Sequence, residues 1–275
     1  MRNNYKSLGF IIVMAIFIMA SAATADPYVC GDVNGDQIAN ISDAVYLIQY
    51  IFSGGPAPDC GSGPSGIGTV TDFDGNLYYT VKIGDQWWML GNLRVTHYRN
   101  GDPIPNVTDN TEWEGLSTGA YCNYDNDEGN VATYGRLYNW YAVIDSRGIA
   151  PEGWHIPSDD EWKQLEMHLG MSQAEADATG FRGTDEGGKS KEAGITHWQS
   201  PNTGATNESG FTALPGGYRL SNAYFFWMGS NAFHWSSTEH LSTYGWSREL
   251  GYDGSQIHRA FSDKHYGFSV RCVRD

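Results

Sequence analysis

Gly153-Trp154-His155-Ile156-Pro157-Ser158-Asp159-Asp160-Glu161-Trp162 carries several independent signals for the start of a helix. Ser158 followed three residues later by Glu161 is a capping box, in which hydroxyl and carboxylate each satisfy a backbone N–H that the first turn leaves unpaired. Pro157 stops the helix from extending backwards. Trp162, Leu165 and Leu169 then recur on one helical face, and Gly170 supplies the permissive stop. The spacing predicts one amphipathic helix over 159–169, packing Trp162 inward. A second capping pattern, Ser172 to Glu175, predicts a short helix ending by Gly180.

With the upstream Tyr134-Gly135-Arg136-Leu137-Tyr138-Asn139-Trp140-Tyr141 and the terminal Gly267-Phe268-Ser269-Val270-Arg271-Cys272-Val273-Arg274-Asp275, the block resembles the Fibrobacter succinogenes major paralogous domain. The resemblance runs from about Thr69 to Asp275 and takes in "VKIGDQWWMLGNLRVTHYRNGDPIP", "NTGATNESGFTALPGGYR" and "WSSTE". It implies membership of the C-type-lectin-like superfamily. The implied fold is therefore α+β, with short antiparallel strands, long loops and one or two helices. "HIPSDDEW" is also similar to a segment of formylglycine-generating enzymes and their non-catalytic relatives.

Before that domain, Arg2 and Lys6 precede an apolar run from Leu8 to Ala20, and Ala23-Thr24-Ala25 has the small-residue pattern of a signal-peptidase site. Cleavage after Ala25, export, and an extracellular or cell-surface location are expected. The apolar run is shorter than the roughly 20 residues of a bilayer span, so no membrane span is expected after cleavage. The chain carries 17 Lys+Arg against 32 Asp+Glu, and loss of Arg2 and Lys6 takes the net charge from −15 to −17. Such a surface repels nucleic acid and attracts cations. Four cysteines in an exported chain favour disulfides, with three possible pairings. Cys30 with Cys60, bracketing one short module, and Cys122 with Cys272, tying the last strand to the middle of the large domain, are the preferred pairs.

Between residues 26 and 60, Asp32, Asn34, Asp36, Asn40 and Asp43 fall at positions 1, 3, 5, 9 and 12 of a twelve-residue loop, with the carbonyl of Ile38 at position 7. Alternate oxygen-bearing residues in a tight loop converge on one centre, as a Ca²⁺ ion with six to eight oxygen ligands requires. Val45, Leu47, Ile48, Ile51 and Phe52 follow in a helical pattern that Gly54-Gly55-Pro56 ends. "GDVNGDQIANISDAVYLIQYIF" resembles one type I dockerin repeat, which implies Ca²⁺ as cofactor and a cohesin as partner. Two departures stand out: Gln37 replaces the turn glycine at position 6, and there is one repeat where dockerins carry two. A half-unit can serve equally as a calcium-stiffened spacer.

Gly61 to Gly68 has linker composition. Thr69–Thr71, Tyr78–Ile83 and Gln86–Met89 then read as strands joined at Asp74-Gly75 and Gly84-Asp85. Asp72, Asp74 and Asn76 read as a plain turn, because position 12 of a calcium loop would fall on Ile83. The acidic run Tyr124 to Glu128 reads as a solvated loop. From Phe181 onward Gly, Ser, Thr and Asn surround aromatic-rich runs, which predicts short strands and long loops. Trp154, Trp162, Trp235 and Phe268 are assigned to the core. Tyr224, Phe225, Trp227 and Tyr252 are the candidate ligand-binding rings, since aromatic faces stack on the C–H faces of sugars.

No catalytic constellation emerges. The active cysteine pair of formylglycine-generating enzymes has no counterpart, the eight His lack metal-binding spacing, and Glu161, one imaginable glycosidase carboxylate beside Glu239, already serves as a cap. The EPN, QPD and WND motifs of calcium-dependent lectins are absent. The expectation is an exported, non-catalytic module that binds a polysaccharide or a surface protein, with the calcium repeat as attachment or spacer. A structural or adhesive cell-surface protein is the alternative, and a glycan-active enzyme stands third.

Overall fold

The computed structural model describes residues 67–222 and 224–275. The chain divides into a unit at Met1–Gly63 and a second at Pro64–Asp275, and the description concerns the second. The signal peptide, the calcium loop and the Cys30 and Cys60 pairing lie outside the described residues.

Strand dominates. β1 (Ile67–Thr71), β2 (Leu77–Ile83) and β3 (Gln86–Met89) form a meander, joined by β6 (Trp154–His155) and β13 (Val273–Arg274) into a five-stranded sheet of order β1-β2-β3-β13-β6. The three strands and both turns read from the sequence are those observed, and β1 also takes in Ile67 and Gly68, which composition had placed in the linker. The Asp72 carboxylate receives the backbone N–H groups of Asp74 and Asn76, the side chain closing the turn expected there. β13 enters between β3 and β6, with Val273 opposite both Trp88 and His155. The terminal motif and the Trp154 block are thus parts of one sheet.

A second, six-stranded sheet is built from β7 (Gly180–Arg182), β8 (Gly216–Arg219), β9 (Phe225–Met228), β10 (Asn231–Leu241), β11 (Tyr244–Gly251) and β12 (Ile257–Asp263), in the order β7-β12-β11-β10-β8-β9. β4 (Tyr121–Cys122) and β5 (Leu137–Tyr138) pair separately. The helices α1 (Asn110–Glu114), α2 (Val131–Tyr134), α3 (Trp140–Val143), α4 (Asp159–Leu169), α5 (Gln173–Asp177) and α6 (Glu186–Ser190) are short apart from α4. This corrects the α+β, C-type-lectin-like expectation: the domain is mainly β, with a curled sheet and few helices. It also corrects the expectation of short strands after Phe181, since β10 runs for 11 residues and β11 for 8. Ser and Thr within those strands gave them a loop-like composition, while cross-strand pairing decides their state.

α4 spans the predicted residues, and its capping box is complete. Trp162, Leu165 and Leu169 are buried, with the Trp162 ring 4.8 Å from Trp88 and 5.7 Å from Phe211. The same helix carries a buried ionic cluster onto the six-stranded sheet. Asp159 accepts hydrogen bonds from Arg248 at 2.8 Å and Arg259 at 2.6 Å, and Glu166 from Arg182 at 2.6 Å and Arg248 at 2.5 Å. Burial would raise the Asp159 carboxyl, but hydrogen bonds from Arg259 and the charge of Arg248 hold it down at about 2.

Trp154, Trp162, Trp235 and Phe268 are all buried, as assigned. Cys122 and Cys272 are not bonded to each other: both are buried free thiols. Cys122 packs with Val107, Trp113 and Leu137, whereas Cys272 belongs to the larger cluster around Met89, Trp235 and Phe268, so chain order misled the pairing. Burial pushes the Cys122 thiol up to about 12 and raises Cys272 as well.

Candidate functional site: a row of rings across the sheet

The register of the six-stranded sheet places one residue from every strand in a single row. Phe181 on β7 pairs with His258 on β12, His258 with Glu249 on β11, and Glu249 with Phe233 on β10. β10 runs parallel to β8, with Ala232 beside Gly217, which brings the next residues, Phe233 and Tyr218, together. Tyr218 pairs with Phe226 on β9. Side chains at paired positions share a face, so five rings and one carboxylate follow one another across the sheet.

Ring and hydrogen-bond contacts agree with the register. The Phe181 and His258 rings stack with centroids 4.4 Å apart. Glu249 accepts from His258 Nδ1 at 2.9 Å and from Asn231 Nδ2 at 2.8 Å, one partner on each oxygen. Phe233 and Tyr218 lie 4.7 Å apart, Tyr218 and Phe226 6.0 Å, and Tyr266 flanks Tyr218 at 6.0 Å. Burial raises the Tyr218 hydroxyl above its ordinary value, with contributions from Tyr266 and Glu249, so it stays a neutral donor at physiological pH.

Trp227 completes the row by breaking alternation. It follows Phe226 and would ordinarily face the other side, but it has φ +68°, a rare conformation for a bulky residue. Its ring consequently also reaches Tyr218, at 5.5 Å, and stacks over Phe233 at 5.8 Å. Gly217, beside it on β8, has φ +62°, and a Cβ there would strike the backbone of Phe226 and Met228. Phe233 is itself buried, so Trp227, at 50% exposure, carries the aromatic surface outward at the one strand whose own ring is covered. The two ends are open: Phe181 is 61% exposed and Phe226 40%.

The opposite face takes the cations. Arg182, Arg259, Arg248 and Arg219 each adjoin a row residue in sequence and alternate away from it. The first three serve the Asp159 and Glu166 cluster, and Arg219 donates to the carbonyls of Val107 and Thr108. The row residues thus include no lysine or arginine.

Of the four rings proposed from sequence, Trp227 lies in the row and Tyr224 is exposed just before β9. Phe225 and Tyr252 do not join them. Phe225 alternates to the other face, 5.3 Å from Tyr124 and beneath Arg219, and Tyr252 packs against the cluster around Trp162. Sequence reading missed Phe181, Tyr218, Phe226, Phe233, Glu249 and His258. The signal available was the repeated neighbour of a ring and an arginine, Phe181-Arg182, Tyr218-Arg219 and His258-Arg259. Period-two alternation turns each such pair into one ring outward and one cation inward.

Two shallow clefts, of about 230 and 290 Å³, lie away from the row, one lined by Lys82, His168, Lys189 and Glu208 and the other by Thr69, Trp87, Glu152 and Arg274. No group of three or more His, Cys, Asp or Glu among the described residues could hold a metal ion. In the acidic run, Asp127 caps a short turn and Glu128 pairs with Arg136 at 2.9 Å. Glu161 hydrogen-bonds Ser158 and His155, and Glu239 pairs with Lys264. Among the described residues, no helix is long and apolar enough to cross a membrane.

Fold and surface together define a mainly β domain whose sheet carries a row of rings, exposed at Phe181, Phe226 and Trp227 and buried at Phe233. The model of the Fibrobacter succinogenes major domain matches residues 81–274, a span that includes the entire row, and the chain belongs to that family. Comparison with curated proteins and with solved structures gives no match.

Proposed function

We propose that the protein is an exported, non-catalytic module that binds glycan through the ring row, with the calcium repeat at Asp32 to Asp43 serving attachment or spacing. The observation that carries this reading is the row itself. Exposed rings at Phe181, Phe226 and Trp227 offer flat apolar faces to sugar C–H groups, while Glu249, Asn231, His258 and Tyr218 offer polar groups to hydroxyls. Glu249 already accepts two protein hydrogen bonds, which suits a fixed acceptor better than a catalytic acid.

Affinity electrophoresis on a panel of polysaccharides tests it. Retention that survives EDTA and is lost in Trp227→Ala plus Phe226→Ala is expected. Absence of retention on every polysaccharide, or turnover of one by the purified protein, defeats the reading. Calcium titration by calorimetry, with Asp32→Ala plus Asp43→Ala as control, and a cohesin pull-down test the attachment role separately.

A second reading, an adhesive surface protein with a protein ligand, draws on another exposed cluster. His240 lies 4.4 Å from Trp246 and 4.7 Å from Phe261, and Phe261 and Leu241 are open to solvent. Exposed apolar side chains grouped in this way suit a protein surface.

A further inference from the structure

Resting on the glycan reading, we propose that the ligand is an uncharged, linear oligosaccharide segment that lies across the strands, from Phe181 at one edge, over Trp227, to Phe226 at the other. Three observations lead there.

The first is length. Six strands carry the row, and five inter-strand steps of about 4.8 Å make a track of about 24 Å along the sheet, the reach of about four or five pyranose rings. A monosaccharide covers only one step of such a track. Exposed rings stand at both ends, Phe181 on the β7 edge and Phe226 on the β9 edge, with the Trp227 ring turned back over Phe233 between them, so a short ligand leaves one end unused.

The second is charge. Glu249 sits mid-row, and the protein carries a net charge of −15. The arginines adjoining row residues alternate onto the other face, where Asp159, Glu166 and backbone carbonyls occupy them. A uronate or sulfated chain would meet a buttressed carboxylate and none of those cations, which is unfavourable in a partly desolvated contact. Neutral sugar hydroxyls instead find acceptors on Glu249 and a donor or acceptor at His258 Nε2, which has no protein partner among the described residues.

The third is openness. The row ends in solvent at both edges, with Phe181 61% exposed on β7 and Phe226 40% exposed on β9, so a chain can continue past either end. Internal segments of a polymer are accommodated as readily as free ends.

Calorimetry on the full chain, with neutral β-1,4-linked gluco-, xylo- and manno-oligosaccharides of two to about six units and with oligogalacturonides of matching length, tests the proposal. For the neutral series that binds, affinity is expected to rise about tenfold or more from two units to about five and then to level. Phe181→Ala, at an exposed position, should remove about tenfold from the long ligand and leave the shortest unchanged, with an unaltered melting temperature. Oligogalacturonides should bind more weakly than neutral chains at low salt. Affinity independent of length, insensitivity of the long ligand to Phe181→Ala, or preference for the acidic series overturns this inference while leaving glycan binding intact. Failure of every sugar, neutral and acidic, at every length defeats the glycan reading itself.

Discussion

Trp227 holds an indole in a backbone region that favours glycine, at a cost on the order of 1–3 kcal/mol, so something in its surroundings compels it. Stacking on Phe233 and Tyr218 compels it sterically, and ligand contact is what the exposed half of the ring is free to do. Trp227→Gly and Trp227→Ala both lose the ring, and Gly alone relieves the strain; Gly is therefore expected to be the more stable variant by about 1 kcal/mol in urea unfolding. Equal stability of the two would mean that the positive φ is not a strained state. Lys191 supplies a second residue-scale test. Its ammonium is buried, donates to the carbonyls of Thr203, Gly251 and Gly254 at 3.0, 2.9 and 2.8 Å, and faces the Trp198 ring at 5.3 Å. Lys191→Met strands three carbonyls and is expected to cost on the order of 2–4 kcal/mol by the same measurement. The sequence singled out Trp227 as a candidate ring but showed neither its backbone conformation nor the Lys191 cage, because a positive φ and a carbonyl cage both depend on neighbours far along the chain.

At the scale of the element, α4 was legible from its own residues: Ser158, Glu161, the 162–165–169 face and Gly170 are local signals with local causes. Ser158→Ala is expected to cost about 1 kcal/mol. What the local pattern did not reveal is that Asp159 and Glu166, ordinary polar positions of a helix, point into the protein and meet three arginines from β7, β11 and β12. The consequence is a pH dependence of definite sign. Asp159 has a folded value lowered to about 2 from an unfolded value of about 3.9, so its contribution is complete above about pH 4 and disappears as pH falls towards 2. Acid unfolding followed by circular dichroism should show this limb in the wild type and a flatter one in Asp159→Asn. His155 acts in the opposite direction. Burial opposes its protonation, but hydrogen bonds to Asp275 at 2.6 Å and Glu161 at 2.7 Å prevail and raise it. Its contribution is present below about pH 6.5 and is lost as pH rises through the folded value, an effect His155→Gln should abolish. The half-exposed setting keeps that effect small.

For the whole molecule, the expected tie between Cys122 and Cys272 gives way to two buried thiols in separate clusters. Thiol labelling followed by peptide mapping, without reductant, should leave both unmodified in the folded protein and modify both in denaturant. Protection in denaturant as well would show that they are bonded. The fold-level expectation failed for a related reason. Composition after Phe181 resembled loops, yet those residues pair into the longest strands of the domain, because a strand with Ser, Thr and Gly gains its stability from partners rather than from propensity.

The sequence by itself determined the elements whose causes are near neighbours: the capped helix, the β1–β3 meander with its turns, the inward tryptophans, and the family to which residues 81–274 belong. Tertiary structure alone decided which rings face outward together. The row draws one residue from each of six strands spread between Phe181 and His258, in an order unlike that of the chain, and one parallel pairing of β10 with β8 sets the register that aligns Phe233 with Tyr218. Alternation shows that a ring and its arginine neighbour face opposite ways. Only hydrogen bonding between distant strands fixes which way is out, because a slip of one residue would exchange Phe181, Tyr218 and His258 for their arginine neighbours.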